Sequence, residues 1–296
     1  SIYWLIMKLI VLWLGVLSVT AAAQSVAPVI PLKPGPTHDP LGSVKGLVFR
    51  KLGYEYVDAF SYEVIPADSE SGHDVFEIDY NKTTAQVILR GNTGVALSSA
   101  FGWYLKYSCN AEVSWGRNGS GEQLNVPFPI PVVTAPVRIV SPVQFRYYQN
   151  VCTVSYSMVW WSWERWEWEL DWMALNGINL PLAFTGQEFV WEAFYLALGL
   201  TQEEVDAYFA GPAFLAWNRM GNIHTWANPL GAGWRIAQAG LQQQILTAAR
   251  AYGMVPVLPG FAGHVPAAFG RVFPHANLTT SSAWHFQANY SDNALL

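Results

Sequence analysis

Charge and cysteine are both scarce in this sequence. Only 12% of its 296 residues are charged and 52% are hydrophobic, which excludes an intrinsically disordered chain and is ample for a large core. With Cys109 and Cys152 as the two cysteines, at most one internal disulfide can form, so we expect the fold to depend on its core. The net charge is −5 and the Lys and Arg residues are scattered. That distribution excludes the basic footprint of a nucleic-acid-binding protein.

An apolar run long enough to cross a bilayer is also missing. The apolar stretch Leu9–Val19 is shorter than the roughly 20 residues that a membrane-spanning helix needs. It follows Lys8 and is followed by the small residues Ala21–Ala23, an order typical of a secretory signal peptide. We therefore predict a signal peptide over residues 1–23, with translation starting at Met7, and no stable membrane anchor.

Four Asn-x-Ser/Thr sequons fit a chain that enters the secretory pathway. They lie at Asn81, Asn118, Asn277 and Asn289, and we predict N-linked glycans there. The signal peptide and the sequons together predict a lysosomal or extracellular protein, and the sequence does not separate these two compartments.

Residues 24–142 are predicted to form a small α+β domain. Short alternating or apolar runs between turn residues indicate strands, and apolar residues at helical spacing indicate a helix. We place these elements at Val75–Tyr80, Gln86–Leu89 and Val95–Tyr107. The Pro-rich segment Pro127–Pro142 cannot be helical, and we interpret it as a linker or an edge crossing before the next domain.

Residues 143–296 alternate between strand and helix patterns. We predict strands over Phe145–Tyr148, Ile178–Phe184 and Met254–Leu258, and helices over Ser162–Leu175, Gln187–Leu198 and Trp234–Tyr252. A capping box at Thr201–Glu204 begins a further helix. This alternation is typical of a (β/α)8 TIM-type barrel, which needs about 250 residues. We therefore predict the α/β class with an incomplete barrel and interpret the sequence as a fragment. We also expect Leu241, Ile245 and the strand Met254–Leu258 to lose their covering neighbours.

Polar side chains follow each predicted barrel strand, where the active sites of such barrels lie. They are Gln149, Asn150, Cys152 and Tyr156 after the first strand, Thr185 to Glu188 after the second, and Phe261, Gly263 and His264 after the third. Most are neutral donors and acceptors, which suit a neutral, hydroxyl-rich ligand. A structural role is the alternative for three of them: Asn150 as a turn cap, Tyr156 as a core residue and Cys152 as an inert thiol.

Tryptophan is abundant, with 15 residues, and its ring suits the apolar faces of sugars. Six tryptophans crowd residues 160–172 and are predicted to be core and interface residues. Trp217 and Trp284 stand beside polar, turn-forming neighbours and are better candidates for sugar stacking. The histidines lack the tight spacing of a metal site, so we predict structural roles and neither metal nor cofactor; they are His224, His264, His275 and His285.

Longer motifs carry a family resemblance. They include Arg146-Tyr-Tyr-Gln-Asn-Val-Cys152, Glu169-Leu-Asp-Trp-Met-Ala-Leu-Asn-Gly-Ile-Asn179, Gly211-Pro-Ala-Phe-Leu-Ala-Trp217 and Phe261-Ala-Gly-His-Val-Pro266. In these segments the sequence resembles glycoside hydrolase family 89, the α-N-acetylglucosaminidases. The resemblance implies an enzyme that removes terminal α-linked N-acetylglucosamine, in animals from heparan sulfate. It also implies a sugar pocket lined by Asn150, Cys152, Tyr156, Trp217 and Trp284.

Glycoside cleavage needs two carboxylates. Glu188 is the one carboxylate directly after a predicted strand in the matching region, and the resemblance places both catalytic glutamates on later strands, beyond Leu296. We therefore expect a retaining exo-glycosidase with a glycan partner, of which this chain lacks both glutamates; a homo-oligomer of the full-length protein is left open. A noncatalytic carbohydrate-binding homologue is the alternative, and two glutamates on later strands would argue against it. A metal-dependent hydrolase, the third hypothesis, predicts inhibition by a chelator.

Overall fold

Two hydrophobic cores organise the described part of the chain. The computed structural model describes residues 38–116, 123–260, 263–281 and 290–293, so the predicted signal peptide, residues 1–23, lies outside the described residues. One core lies under an N-terminal sheet and the other lies among the helices that follow it. None of the helices within the described ranges is long and apolar enough to cross a membrane.

The N-terminal region is a four-stranded sheet packed against helices. Its strands are β1 (Phe60–Val64), β2 (Val75–Asn81), β3 (Gln86–Gly91) and β4 (Val137–Val140), in the spatial order β1-β3-β2-β4. β1 runs parallel to β3, and the other pairs are antiparallel. The accompanying helices are α1 (Pro40–Leu52), α2 (Tyr54–Val57) and α3 (Gly94–Ser108). Ile78 and Leu89 on the central strands are fully buried in the core that α1 and α3 share with the sheet.

The predicted hairpin and helix of this region are confirmed. β2 and β3 pair in register from Phe76↔Gly91 to Asn81↔Gln86, and α3 extends one residue beyond the prediction at each end. Helix α1 and strand β1 are absent from the predictions. The start of α1 nevertheless carries a readable signal, because Asp39 caps the helix through its carboxylate and Pro40 stands at the first helical position.

The Pro-rich segment Pro127–Pro142 contains no helix, as predicted, and it supplies strand β4. This strand pairs antiparallel with β2, from Val75↔Val140 to Ile78↔Val137. β4 lies at the edge of the sheet. Prolines are tolerated at such an edge, because one side of the strand makes no backbone hydrogen bonds to a neighbouring strand. The segment therefore belongs to the N-terminal sheet as well as leading to the next region.

The second region contains short parallel strands alternating with helices. Its elements are β5 (Tyr147–Tyr148), α4 (Thr153–Tyr156), α5 (Trp163–Leu175), β6 (Leu180–Pro181), α6 (Gln187–Ala197), α7 (Gln202–Tyr208), α8 (Leu215–Arg219) and α9 (Ala232–Tyr252), with 3-10 turns at Met158–Trp160 and Pro212–Phe214. The capping box at Thr201 is present as predicted. β5 is parallel to β6. We call this region the barrel portion.

A third parallel segment continues the row of barrel strands. The predicted strand Met254–Leu258 is reduced to a parallel bridge between Leu182 and Val257. Its backbone still joins the row, since the Val257 amide donates to the Pro181 carbonyl and the Ala183 amide donates to the Val257 carbonyl, both at 2.8 Å. Three neighbouring parallel segments joined by helices are the arrangement of an incomplete (β/α) barrel.

A small antiparallel sheet follows the barrel strands. Strands β7 (His264–Val265), β8 (Leu278–Ser281) and β9 (Tyr290–Asn293) take the order β7-β9-β8, and helix α10 (Phe269–Val272) lies between β7 and β8 in sequence. This sheet was not predicted, because its strands carry no long alternating pattern.

The expectation of uncovered helix faces is wrong for α9. Leu241 and Ile245 are only 8% and 4% exposed, because they pack in the second core with residues such as Phe184 and Trp191. The expectation holds for the third strand segment, where Val255 is 53% exposed and Leu258 is 37% exposed. The helices of the barrel portion therefore cover one another, and its outermost strand stays open.

A buried ionic cluster joins the two regions. Asp171 on α5 is 1% exposed and accepts hydrogen bonds from Arg50 at 2.6 and 3.0 Å and from the Tyr252 hydroxyl at 2.7 Å. The Lys51 ammonium, also buried, lies 3.2 Å from the same carboxylate. Burial and the adjacent carboxylate raise the pKa of Tyr252 well above its usual value. Because α1 supplies both cations and α5 the anion, the cluster fixes the N-terminal domain to the barrel portion.

Candidate active site

The first strand end carries a tight turn built around Asn150. Gln149 has a φ of 91°, in the left-handed region that is costly for a residue with a side chain. The Asn150 side-chain oxygen accepts from the Cys152 amide at 2.8 Å, and the Thr153 hydroxyl donates to the Asn150 carbonyl at 2.6 Å. Asn150 is thus a turn cap, and its side chain is also exposed at the carboxyl end of β5. The structural role and a ligand-binding role are compatible at this position.

An aromatic corner, formed by Tyr156 and Trp217, stands next to this turn. The two rings meet edge to face, with centroids 5.7 Å apart and planes at 84°. Tyr156 is 71% exposed, so the alternative that it is a core residue is wrong. Trp217 is half-buried, and the two rings together offer apolar surface of the kind that packs against the C–H face of a sugar ring.

Cys152 begins the short helix α4 and is half-buried. Its thiol and that of Cys109 are free, so the one disulfide that the sequence allows is not formed. Burial raises the pKa of Cys109. Cys152 stands between Asn150 and Tyr156 in sequence. Its contact with a ligand stays a prediction.

Glu188 is bound by a cation that the sequence patterns did not reveal. It lies in the first turn of α6, is 1% exposed, and accepts from Arg219 through both oxygens, at 2.6 and 2.9 Å. Arg219 also faces the ring of Phe184, with 5.8 Å between the guanidinium carbon and the ring centroid. Since the guanidinium occupies both carboxylate oxygens, neither is directed toward a substrate. A carboxylate that is expected to be buried after a strand indicates that a cation must pair with it. The sequence does not indicate which cation that is.

A buried polar cluster lies behind the aromatic corner. The Asn218 side-chain nitrogen donates to the Tyr208 carbonyl at 3.1 Å and lies 3.0 Å from Nδ1 of His224. The His224 ring also stacks on Tyr208, with centroids 5.0 Å apart. Burial, and secondly the neighbouring His264, lower the pKa of His224 to about 4. The structural role of His224 stays a prediction. Within the described ranges, no group of three or more His, Cys, Asp or Glu side chains could hold a metal ion.

Four other predicted residues lie outside the described residues, namely Trp284, His285, Asn118 and Asn289. Asn277 and His275 are exposed, and Asn81 is half-buried, with its side-chain oxygen accepting from the amides of Thr83 and Thr84. Among the six crowded tryptophans, Trp166 is a core residue at 2% exposure, whereas Trp160 is 63% exposed and contradicts the core prediction.

Comparison with known families accounts for this arrangement. Residues 146–296 match the model described as the α-N-acetylglucosaminidase TIM-barrel domain, and residues 42–132 match the model of the N-terminal domain. This chain belongs to the α-N-acetylglucosaminidase family. It is 50% identical to human α-N-acetylglucosaminidase over 256 residues, which are 86% of this chain and 34% of the human protein. The family and the α/β fold with an incomplete TIM barrel are thereby confirmed.

Solved α-N-acetylglucosaminidase relatives have the same fold. The family 89 glycoside hydrolase of Clostridium perfringens, in complex with a 2-acetamido-dideoxynojirimycin, is 35% identical with a TM-score of 0.80. A doubly glutamate-to-glutamine-substituted form, in complex with its substrate GlcNAc-α-1,4-galactose, is 34% identical with a TM-score of 0.81. Each comparison covers 86% of this chain and 28% of the other. The chain therefore spans about a third of the length of its relatives.

Proposed function

We propose that this chain supplies part of the sugar pocket of an exo-acting α-N-acetylglucosaminidase with a retaining mechanism. The observation that carries the proposal is the exposed aromatic corner of Tyr156 and Trp217 beside the Asn150 turn, at the carboxyl end of the barrel strands. Asn150, Cys152, Tyr156, Trp217 and Trp284 line the pocket in this proposal. Its substrate is a glycan with terminal α-linked N-acetylglucosamine, such as heparan sulfate. The complex of the bacterial relative with GlcNAc-α-1,4-galactose supports this substrate class.

The two catalytic carboxylates are proposed to lie beyond this chain. Retaining enzymes need two carboxyl groups about 5 to 5.5 Å apart, one as nucleophile and one as acid and base. Glu188 is the carboxylate nearest to a strand end, and it is already bound through both oxygens by Arg219. Its role in the proposal is to hold Arg219 and the start of α6 in place.

The experiment compares turnover by two lengths of the protein. We expect residues 24–296 to show no hydrolysis of 4-nitrophenyl α-N-acetylglucosaminide, and the chain extended to the length of its relatives to hydrolyse it. Turnover by the short form that disappears in Glu188→Gln would contradict the placement of the catalytic carboxylates. An inactive extended form that still binds N-acetylglucosamine would favour the noncatalytic carbohydrate-binding alternative.

The aromatic corner is tested in the extended form. Trp217→Ala removes one wall of the pocket, so we expect kcat/KM to fall by roughly 10- to 100-fold while the folded fraction is kept. Trp166→Ala is the matched control, because it removes a tryptophan that is 2% exposed in the core and should reduce activity only through lost folded protein. Equal specific activity per folded molecule in both variants would make Trp217 a structural residue.

A route through the secretory pathway is part of the proposal. The motive is the predicted signal peptide together with the exposed sequon at Asn277. We expect protein secreted from a eukaryotic host to begin near Gln24 and to lose mass on treatment with an N-glycan-removing enzyme, and Asn277→Gln to reduce that loss. An unchanged mass after treatment would contradict N-glycosylation of the chain.

A further inference from the structure

One buried hydrogen bond joins the two helices that carry the aromatic corner. Ser155 on α4 is 7% exposed, and its hydroxyl oxygen accepts from the backbone amide of Ala216 on α8 at 2.9 Å. Ala216 is 1% exposed. Ser155 immediately precedes Tyr156, and Ala216 immediately precedes Trp217. The bond therefore connects the two backbones one residue before each ring of the corner.

This bond satisfies an amide that α8 cannot satisfy internally. Ala216 is the second residue of α8 (Leu215–Arg219), and the first amides of a helix have no carbonyl partner within it. Phe214 precedes the helix and makes no side-chain capping bond in the described part of the chain. The Ser155 hydroxyl takes the place of a cap, although it comes from a different helix 61 residues earlier.

The opposite end of α8 is held separately. The Trp217 carbonyl accepts from the Asn222 amide at 2.9 Å, and Asn218 donates to the Tyr208 carbonyl at 3.1 Å. These bonds fix α8 against its own loop and against α7, but they do not reach α4. The Ser155–Ala216 bond, in contrast, ties α4 directly to α8.

We infer that Ser155 is a positioning residue that sets the Tyr156–Trp217 corner for an N-acetylglucosamine ring. The inference rests on the proposed function for its ligand, and on the geometry alone for its effect on the two rings. Replacing Ser155 with Ala leaves the buried Ala216 amide without an acceptor. That amide then draws α8 away from α4 to reach water, and the corner opens. The hydroxyl itself does not touch the sugar.

Kinetics in the full-length enzyme test the functional half of the inference. We expect Ser155→Ala to raise KM roughly 10-fold and to change kcat by less than about 2-fold, because the wall of the pocket is displaced and the carboxylates are not. In a Trp217→Ala background the same substitution should cost less than about 2-fold, since the wall through which Ser155 acts is already gone. A full additive loss in that background overturns the inference while leaving the proposed function intact.

A spectroscopic measurement tests the geometric half without relying on activity. With 5-fluorotryptophan incorporated, the Trp217 resonance is the one that disappears in Trp217→Phe. We expect it to shift or broaden in Ser155→Ala and to stay unchanged in Ser99→Ala. Ser99 is a matched control because its hydroxyl also joins two helices, donating to the Ala174 carbonyl at 3.2 Å, far from the corner in the N-terminal core. An unchanged Trp217 resonance in Ser155→Ala overturns the inference.

One further variant covers the remaining outcomes. If Ser155→Ala fails to fold, Ser155→Cys keeps a similar volume and a weaker acceptor, and it should give a KM between those of Ser155→Ala and the unchanged enzyme. A Ser155→Cys enzyme with unchanged KM and an unchanged Trp217 resonance overturns the inference. Absence of any turnover by the unchanged enzyme would overturn the proposed function, and the fluorine spectra would still decide whether Ser155 positions Trp217.

Discussion

The N-terminal sheet and the barrel portion differ in how far each buries its own strands. In the sheet, the central residues Ile78 and Leu89 have no exposed surface, and helices α1 and α3 close one face. In the barrel portion, Val255 and Leu258 on the outermost strand segment are 53% and 37% exposed. The difference follows from architecture, because a small open sheet is complete with four strands, whereas a barrel closes only when its last strand meets its first.

Hydrogen exchange should show the largest difference between the two regions. In residues 24–296 we expect amides of β2 and β3 to exchange at least roughly 100-fold more slowly than those of Leu180, Val255 and Val257, because the short row of barrel strands is open at its outer edge and free to unfold locally. In the extended form the two groups should become similar. Equal protection in the short form would show that the barrel portion folds cooperatively without its remaining strands.

The ionic cluster at the junction should give the next largest effect. Asp171→Asn is nearly isosteric but removes the carboxylate beside the buried Lys51 and one of the two carboxylates beside Arg50, so we expect a loss of about 3–5 kcal/mol in the free energy of unfolding. Glu63→Gln is the control, since Glu63 also pairs with an arginine, Arg90, at 2.6 Å but is 49% exposed in that pair. Its expected cost is about 0–1 kcal/mol. Urea unfolding of the extended form measures both, and equal costs would contradict a role for burial.

Acid should weaken the barrel portion through His224. Its pKa is lowered from 6.5 to about 4 in the folded state, so below pH 6.5 the unfolded chain binds the proton first. Stability is then lost as the pH falls from 6.5 to about 4, by at most roughly 3 kcal/mol. His224→Gln should flatten this slope, and His275→Gln, at an exposed position, should not. An unchanged slope in His224→Gln would show that other groups control the acid response.

Local sequence signals predicted the helices and strands of both regions better than they predicted which elements and side chains pair in the fold. The β2–β3 hairpin, α3, α5 and the capping box of α7 depend on residues close in sequence, so periodicity and turn chemistry were sufficient. Strand β1 was not predicted, because it pairs in parallel with β3, which lies more than 20 residues later in the sequence. The exposure of Trp160 and the pairing of Glu188 with Arg219, 31 residues away, depend on tertiary packing that no local pattern records.

The candidate site divides in the same way. Strand ends located Asn150, Cys152 and Tyr156, because position after a barrel strand is a local property. Polar, turn-forming neighbours singled out Trp217, and the family resemblance assigned all four residues to one sugar pocket. Neither strand ends nor the resemblance identified Ser155. A serine on a short helix shows no functional pattern in the sequence until the amide that it binds is known. Trp284 stays a prediction.

Helix α5 has a consequence for how separable the two regions are. Its Trp166 lies in the second core, whereas Leu170 and Met173, on the same helix, lie in the first. Part of the core of the N-terminal domain therefore comes from the barrel portion. Cutting the chain near residue 142 would expose buried apolar surface on both pieces. Exchanging either region for a foreign domain would therefore also require a redesign of α5.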